Sequence, residues 1–360
     1  MVDVGKLTLV VIRDGYSVSA TEIRSTRPMA AQILKGKTPE QVLQIVPLLF
    51  SVCGRAQGAA ASAALQAAQQ GDSDISADVQ RTIVCEAMQE HLWRVMLDWP
   101  RLLGLPQQEQ RFAAWYSMLR KIGAGEVDMP VFLNEFARDG LGMPLAEWRA
   151  LDSYHALQIW FSKAHSPMAQ LLFQLDELKH ERQGSTGTRL LPAWTAVEAQ
   201  KACAGKWNAG FSARPVWLGD AAETGAWTYF ADNHLLLDVR KQGRSNALIR
   251  LLARVMDVVE LASGCAAPRL DVASPAAGEG IAVARTARGL LMHHVRLAAE
   301  TVLEYEIVAP TEWNFHPDGA FARDLRGLVE LEAGHLQQMA NIEALSLDPC
   351  VAYEVEMRDA

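Results

Sequence analysis

Hydrophobic and polar residues alternate in two different rhythms along the chain. Near the start, an aliphatic run at 7–12 is followed by a turn at Arg13-Asp14-Gly15, which predicts two short strands. Further on, apolar residues recur at alternating spacings of three and four, at Cys85, Met88, Leu92, Val95 and Trp99. This spacing predicts a helix over 76–103 with these side chains on one face, so Cys85 is interpreted as a core residue.

Helix signals dominate the rest of the chain. Thr38 followed by Pro39 is typical of a helix start, and Pro47 should interrupt that helix near residues 48–50. Further helices are predicted over 56–70, 110–122, 129–139, 145–165, 167–180, 246–263 and 320–345. Three strand-like runs, at 281–285, 289–297 and 302–308, predict a β-meander before the last of these helices.

Three segments lack a regular pattern. Residues 183–188 predict a flexible segment, 206–227 irregular surface structure, and 264–280 a linker rich in Pro, Gly and Ala. Aromatic residues of the middle third are interpreted as core packing: Trp115, Tyr116, Trp148, Tyr154, Trp160 and Phe161. The pattern as a whole predicts an α+β fold that is mainly helical, with small sheets built from the N- and C-terminal regions.

Composition narrows the class of protein. With 360 residues the chain is long enough for a large core, and its formal net charge of −8 argues against nucleic acid or an anionic membrane surface as partner. No secretory signal and no membrane-spanning run are recognised. Five cysteines, an odd and scattered number, favour reduced thiols over a disulfide framework and predict a cytoplasmic protein.

Two cysteines lie in turns near opposite ends of the chain. Cys53 precedes Gly54-Arg55 at the predicted start of the alanine-rich helix, where the helix dipole and the arginine favour a thiolate. Cys350 follows Asp348-Pro349, and the proline stiffens that turn. Thiolates are soft ligands for iron or nickel, so each is a candidate metal ligand, although each alone is also what an ordinary buried or turn cysteine looks like.

Read together, the two turns resemble the metal-binding motifs of NiFe-hydrogenase large subunits, and most closely their shortened, non-catalytic relatives, the HupK/HoxV-type maturation proteins. Residues 51–56 are similar to the N-terminal motif R-I-C-G-x-C, and 348–356 are similar to D-P-C-x-x-C-x-x-H. The resemblance implies a large-subunit-like fold for the single domain 1–360. Its regions would be the N-terminal motif region 1–103, the helical middle 104–182, the insert 183–280 and the C-terminal motif region 281–360.

Two further stretches strengthen the resemblance. Residues 285–290 are similar to the E-A-P-R-G segment, whose arginine, here Arg288, faces an iron-bound cyanide. Residues 308–314 are similar to V-P-[ST]-T-W-N, whose hydroxyl residue, here Thr311, would face the other cyanide, and the resemblance implies that Pro310 beside it also belongs to the cofactor-binding residues. A guanidinium and a hydroxyl suit these roles because both donate hydrogen bonds to anionic acceptors.

The carbonyl ligand of such an iron needs an apolar wall. Ile307 and Val308, or Leu49 and Phe50, are the candidates.

Departures from the family pattern limit what the chain is expected to do. Cys53 and Cys350 match the terminal nickel ligands, whereas Ala56 and Tyr353 replace the bridging cysteines and Glu356 replaces the terminal histidine. A proton-passing glutamate is also missing, because residues 28–31 are Pro-Met-Ala-Ala. No stable Ni–Fe centre, no bound nickel and no catalysis are therefore expected.

The resemblance instead implies an assembly scaffold that holds an Fe(CN)₂(CO) fragment between Cys53 and Cys350 for transfer. Its implied partners are the hydrogenase large-subunit precursor, a small hydrogenase-assembly chaperone and the iron–sulfur assembly partner of that chaperone. A metal-free adaptor that docks the same machinery is the alternative within this class.

An alternative of a different class comes from two Glu-x-x-His pairs, Glu177/His180 and Glu332/His335, which with Glu86 and Glu90 are the donors of a di-iron carboxylate enzyme. Such pairs also arise by chance on solvated helices. Three further histidines are interpreted as non-ligands: His293 and His294, because neighbouring strand residues point to opposite faces, and His316, as a turn residue.

Overall fold

The computed structural model describes residues 5–26, 30–50, 52–71, 74–178, 187–326, 328–329 and 332–360. Residues 27–29, 51 and 179–186 lie outside these ranges. They include Pro28 and Met29 of the segment 28–31, the first residue of the N-terminal motif, His180 and most of the predicted flexible segment.

Nine strands are present in the described residues: β1 Lys6–Asp14, β2 Ser17–Ser25, β3 Arg189–Leu190, β4 Ala222–Glu223, β5 Leu270–Ala276, β6 Glu279–Thr286, β7 Gly289–Ala298, β8 Thr301–Val308 and β9 Ala352–Asp359. The α-helices of the same residues are α1 Ala30–Leu34, α2 Pro39–Leu49, α3 Gly54–Gln70, α4 Ala77–Trp93, α5 Trp99–Leu102, α6 Glu109–Gly123, α7 Met129–Glu135, α8 Leu145–Arg149, α9 Tyr154–Lys163, α10 Pro167–Glu177, α11 Ala196–Cys203, α12 Ala209–Ala213, α13 Ala226–Tyr229, α14 His234–Lys241, α15 Asn246–Ala262, α16 Pro310–Asn314, α17 Ala320–Arg326 and α18 Ala333–Leu347. Two π-helical turns, Arg94–Asp98 and Phe136–Leu141, follow α4 and α7.

The chain forms two compact units. The first consists of Met1–Ile83, Glu181–Thr228 and Pro268–Ala360, and the second of Val84–His180 and Tyr229–Ala267. The first unit therefore contains both cysteine motifs, and the second contains residues 84–103 of the predicted N-terminal motif region and about half of the α-helices.

The first unit is built on an antiparallel sheet of order β5-β6-β7-β8. Helix α3 packs on one face, where its alanines meet small and aliphatic side chains of β6 and β7. The approach is close because β6 carries Gly280: a Cβ there would lie 2.0 Å from the Ala64 carbonyl oxygen. Alanine on the helix and glycine on the strand together allow backbone to pack against backbone.

The opposite face of the sheet carries a second core. Side chains of β6 and β7 that point this way, among them Val283 and Met292, pack with Phe211 of α12 and Trp313 of α16. The alternation along β6 and β7 therefore buries both faces of the sheet. Both strands read as nearly continuous apolar runs for this reason.

A second sheet joins the two chain ends. Its order is β2-β1-β9, with β1 antiparallel to β2 and parallel to β9. The register places Lys6 opposite Ala352 and Arg13 opposite Asp359, so β9 lies along the whole of β1. The C-terminal strand directly follows the Cys350 turn.

The second unit is helical in its described residues. The predicted stripe runs along α4, the π-helical turn after it and the start of α5, and it is buried: Cys85, Met88, Leu92, Val95 and Trp99 are all 2 % exposed or less. His91 beside it is also buried, with its Nε2 2.8 Å from the Asp257 carboxylate. Of the predicted core aromatics, Trp115, Trp148 and Trp160 are buried, while Tyr116 is 38 % exposed.

Several sequence predictions are confirmed. Thr38 caps α2 in a capping box with Gln41, and α2 ends at Leu49, two residues after Pro47. The meander 281–308 is present as β6, β7 and β8. None of the five cysteines, all of which are described, forms a disulfide. Within the described residues no helix has the length and apolar character needed to cross a membrane.

Other predictions are wrong. The predicted linker 264–280 contains β5, which pairs with β6 despite its Pro and Ala content. The predicted surface segment 206–227 includes the buried residues Phe211 and Trp227. The predicted helix 320–345 is divided into α17 and α18, and 145–165 into α8 and α9. Pairing with β6 makes β5 a strand, whereas α9 begins at a local signal, the Ser153 side chain that caps its first turn.

Candidate metal centre

Cys53 lies at the N-cap of α3 with φ 56° and ψ 29°, a left-handed conformation that is uncommon outside glycine. Its carbonyl accepts the first hydrogen bond of the helix, from the Gln57 backbone N–H at 2.9 Å. The side chain is 7 % exposed and belongs to the core between α3 and the four-stranded sheet. The strained turn thus aims the thiol inward, beside the sheet.

Arg288 occupies the tight turn between β6 and β7. The Thr286 hydroxyl accepts a hydrogen bond from the Arg288 backbone N–H at 3.2 Å and donates one to the Gly289 carbonyl at 2.9 Å. Gly289 has φ +125°, and a Cβ there would lie 2.5 Å from the Thr224 hydroxyl oxygen. Glycine is therefore required at this position, and the turn fixes the direction of the guanidinium.

The guanidinium of Arg288 joins the two cysteine turns. Its Nη1 donates to the Cys53 sulfur at 3.1 Å, and its Nε lies 3.2 Å from the Asp348 carboxylate. Arg288 and Asp348 are each 1 % exposed, so both charges are withdrawn from water. Two turns almost three hundred residues apart therefore meet at one buried cation.

Cys350 is held on the other side by α16. The Thr311 hydroxyl oxygen lies 3.1 Å from the Cys350 sulfur and accepts a hydrogen bond from the Cys350 backbone N–H at 3.2 Å. Pro310 begins α16, where its lack of an N–H costs nothing, and it is buried. The Cys350 side chain itself is half-buried.

Three residues that the sequence predictions left out complete this arrangement. Asp348, at φ 53°, is the C-cap of α18 and supplies the anion for Arg288. The Asn314 side chain donates to the Leu347 carbonyl at 3.3 Å and accepts from the Thr224 backbone N–H at 2.9 Å. Asp348 and Asn314 belong to the two C-terminal motifs, which was a usable signal; nothing in the sequence singles out Thr224.

The predicted apolar wall is divided between the two cores. Ile307 and Phe50 pack against the cluster that contains Cys53, whereas Val308 belongs to the cluster on the opposite face of the sheet. Neighbouring strand residues point to opposite faces, which explains the separation of Ile307 from Val308.

The histidine pair is separated in the same way, as predicted. His293 points toward α3, with its Nε2 2.8 Å from the Gln57 side-chain oxygen and its Nδ1 2.9 Å from the Tyr305 hydroxyl. His294 points away, stacks on the Trp207 ring at 4.6 Å, and lies 2.7 Å from the Glu279 carboxylate. His316 accepts a hydrogen bond from the Asp318 backbone N–H, so it is a turn residue.

Burial of His293 predicts an acid-sensitive fold. Burial lowers the pKa of His293 to about 3, whereas an unfolded chain has a histidine pKa of about 6.5. Below pH 6.5 His293 binds a proton in the unfolded state but not in the folded state. The contribution of His293 to the free energy of unfolding is therefore complete above pH 6.5 and is lost as the pH falls. Between pH 7.5 and 5.5 this one group is expected to remove about 1.4 kcal/mol from the free energy of unfolding.

Urea unfolding of the wild type and of His293→Gln at both pH values measures this loss. Other groups titrate in both proteins, so the quantity of interest is the stability gap between them, which should narrow by about 1.4 kcal/mol at pH 5.5. A gap that is independent of pH would show that His293 has the same pKa in the folded protein as in the unfolded chain.

Within the part of the chain that the structure describes, the predicted donors of a di-iron carboxylate site do not form a cluster. Glu332 is the N-cap of α18 and His335 lies in its first turn, whereas Glu177 lies at the end of α10 in the second unit. Among the described residues, which exclude His180, no group of three or more His, Cys, Asp or Glu side chains is placed to hold a metal ion.

Comparison with known proteins identifies this fold. Residues 245–355 match the nickel-dependent hydrogenase family. The fold is that of hydrogenase large subunits: the Ni-Fe-Se hydrogenase of D. vulgaris Hildenborough aligns with a TM-score of 0.54 at 14 % identity, over 94 % of this chain and 95 % of the other. An NAD⁺-reducing [NiFe]-hydrogenase also has a TM-score of 0.54, at 13 % identity, over 94 % of each chain. The predicted α+β, large-subunit-like fold is therefore confirmed.

Relatives at higher identity are more specific. The hydrogenase expression/formation protein HoxV of Cupriavidus necator is 32 % identical over 94 % of this chain and 93 % of its own length. The hydrogenase expression/formation protein HupK of Azotobacter vinelandii is 31 % identical over 98 % of each chain. This chain belongs to the HoxV/HupK family of hydrogenase expression/formation proteins.

Proposed function

We propose that this protein is a non-catalytic, cytoplasmic scaffold of NiFe-hydrogenase maturation. It holds an Fe(CN)₂(CO) fragment transiently between the thiolates of Cys53 and Cys350 and passes it to the hydrogenase large-subunit precursor. The observation that carries the proposal is the meeting of both cysteine turns at Arg288, 3.1 Å from the Cys53 sulfur and 3.2 Å from Asp348. Relatives named hydrogenase expression/formation proteins support the maturation role.

The donor set fits an iron fragment of this kind. Two thiolates are soft anionic ligands for iron. Arg288 and Thr311, each already within hydrogen-bond distance of a thiol, are donors that can serve the anionic ligands of the fragment. Arg288 also offsets the negative charge of a thiolate and of the cargo in a site where burial makes an unpaired charge costly.

The same donor set argues against a binuclear centre. The position of the first bridging cysteine is Ala56, whose buried methyl group packs in the core of α3. The position of the second is Tyr353, in the partly exposed strand β9. Two thiols remain where the catalytic family uses four, so cargo is held but hydrogen chemistry is not supported.

Each part of the site has a separable task in this scheme. The strained turn of Cys53 and the capped turn of Asp348 fix the distance between the two ends of the site. Arg288 and Thr311 orient the cargo through hydrogen bonds, and the apolar side chains of Ile307 and Phe50 keep water from its neutral side. The partners are the small assembly chaperone with its iron–sulfur assembly partner as donors, and the large-subunit precursor as acceptor.

Infrared spectroscopy of protein purified from a hydrogenase-producing host tests the proposal. The wild type is expected to show metal-bound CO and CN stretches. Removing a ligand, in Cys53→Ala or Cys350→Ala, should lower bound iron by more than tenfold, since even outer-shell partners of a metal ligand are worth about 10- to 100-fold in affinity.

Cys265→Ala is the matched control, because Cys265 is exposed and lies outside the site. Bands of equal intensity in all three variants would exclude thiolate ligation. Absence of bands and iron from the wild type, with binding to the assembly partners intact, would establish the metal-free adaptor instead.

A further inference from the structure

The two thiols of the site are supported in different ways. Cys53 begins a helix that is tied to the sheet by a buried chain of hydrogen bonds. The Gln57 side chain, one turn into α3, accepts from His293 Nε2 at 2.8 Å, and His293 Nδ1 in turn accepts from the Tyr305 hydroxyl at 2.9 Å. Gln57, His293 and Tyr305 are each at most 4 % exposed.

This chain of bonds sets the position of Cys53 relative to Arg288. Strand β7 carries His293 and begins one residue after Arg288, so both groups move with the same strand. The bond from His293 to Gln57 therefore fixes the first turn of α3 against the strand that presents the guanidinium. Burial favours neutral His293 by lowering its pKa to about 3, so this lock persists across physiological pH.

Cys350 is followed by a much weaker element. Strand β9 begins two residues later, and none of its eight residues is fully buried. In contrast, α18 on the other side of the turn buries nine residues, from Leu336 to Leu347. The Cys350 turn is thus anchored mainly on its N-terminal side, by the buried residues of α18 that precede Asp348.

Many of the contacts that hold β9 are of the kind that contribute little. Besides the backbone ladder to β1, they include the surface ion pairs Lys6–Glu354 and Arg13–Asp359, a 3.0 Å hydrogen bond from Thr8 to Glu354, and a 3.3 Å hydrogen bond from the Gln337 side chain of α18 to the Val355 carbonyl. Exposed ion pairs are worth about 0–1 kcal/mol each and weaken in salt. An edge strand with few buried apolar contacts is the type of segment that opens locally at low free-energy cost.

We infer that the two thiols have unequal roles in the proposed transfer. Cys53 is a fixed ligand, positioned by Gln57 and His293, and Cys350 is the ligand that dissociates from iron when β9 detaches from β1. The inference rests on the proposed function for its biological meaning. When β9 detaches, Val351 and Cys350 lose their C-terminal restraint, while Asp348 stays held by α18 and Arg288.

The exchange at iron is then a substitution of one thiolate for another. A thiol of the receiving protein forms a bond to iron as the bond from iron to the Cys350 sulfur breaks. The proton of the incoming thiol passes to the released Cys350 thiolate, and the oxidation state of iron does not change. Cys53 keeps hold of the fragment until this first exchange is complete.

Two variants should affect the two thiols in opposite ways. The Val355 carbonyl accepts from Gln337 and therefore faces away from β1. Backbone groups of neighbouring strand residues point in opposite directions, so the Glu356 N–H faces β1. Glu356→Pro therefore removes one hydrogen bond between β9 and β1. Val355→Pro is the adjacent control, because its N–H is not in that ladder. Glu354→Ala is a milder second test, which removes the Lys6 and Thr8 contacts.

Gln57→Leu removes the hydrogen bond between His293 and α3 that positions Cys53. Tyr305→Phe is its control, since it keeps the bond between His293 and Gln57.

The readout is the rate of iodoacetamide labelling of each cysteine in the metal-free full-length protein, resolved by mass spectrometry, together with hydrogen exchange of β9. Glu356→Pro should raise labelling of Cys350 by about fivefold or more and leave Cys53 within about twofold, and Gln57→Leu should do the reverse. In the wild type, β9 should exchange faster than α18.

Equal acceleration of both thiols in either variant, or protection of β9 as strong as that of α18, overturns the inference. The measurement needs no iron, so its outcome is independent of the infrared test of the proposed function.

Discussion

Replacing Arg288 by leucine is expected to lower the free energy of unfolding by about 3–5 kcal/mol, because it leaves the Asp348 carboxylate buried without its cation. Both side chains are 1 % exposed, and the guanidinium also donates to the Cys53 sulfur. The same variant should lose the iron fragment in the infrared experiment. Chemical denaturation of the metal-free protein measures the stability effect separately from the cargo.

Two further variants identify the cause of that loss. Adding Asp348→Asn to Arg288→Leu removes the buried charge and keeps a side chain that tolerates the left-handed conformation, so it should recover a large part of the lost stability. Arg296→Leu, on the exposed part of β7, should change stability by less than about 1 kcal/mol. If the double variant were no more stable than Arg288→Leu, the buried charge of Asp348 would not be the cause.

Gly280→Ala is expected to destabilise the first unit by about 3 kcal/mol or more, because the added methyl group overpacks a contact between two backbones. Its carbon would lie 2.0 Å from the Ala64 carbonyl oxygen and 2.8 Å from the Ala68 nitrogen. No side-chain rotation relieves such a clash, so α3 must move away from β6. Since α3 begins at Cys53, the shift should also weaken retention of the iron fragment.

Gly58→Ala, on the same helix, is the matched control. A Cβ there meets only the Pro47 ring, at 3.8 Å. Alanine is favoured over glycine in a helix interior by about 1 kcal/mol, so this variant should be neutral or stabilising. Thermal unfolding of the two variants side by side tests the contrast, and equal melting temperatures would show that α3 does not pack against Gly280 as described.

Local signals in the sequence were sufficient for the elements that depend on local chemistry. The cap at Thr38, the apolar stripe around Met88 and the strand β1 follow from residues close together in the chain. The motif residues Cys53, Arg288, Thr311 and Cys350 could also be named in advance, because the resemblance lies in short stretches. Their roles toward iron remain predictions.

Elements that depend on distant partners could not be predicted in this way. Strand β5 reads as a linker because only its pairing with β6 makes it a strand. Strand β9 was not predicted at all, since its partner β1 lies at the other end of the chain. Asp348 was visible in its motif, but its role depends on a guanidinium sixty residues earlier. Loop closure of this kind has no local signature in the sequence.

The sequence by itself determined the chemistry available to this protein. It supplies two thiols where a binuclear centre uses four, one arginine and one threonine in stretches that resemble the family motifs, and apolar side chains on both faces of β6 and β7. The tertiary structure alone decided where that chemistry is placed. It brings Cys53 and the Asp348 turn to one guanidinium, ties α3 to β7 through His293, and leaves Cys350 next to a partly exposed edge strand. The reason is physical: side-chain types are fixed residue by residue, whereas burial and distance arise only when separated segments pack together.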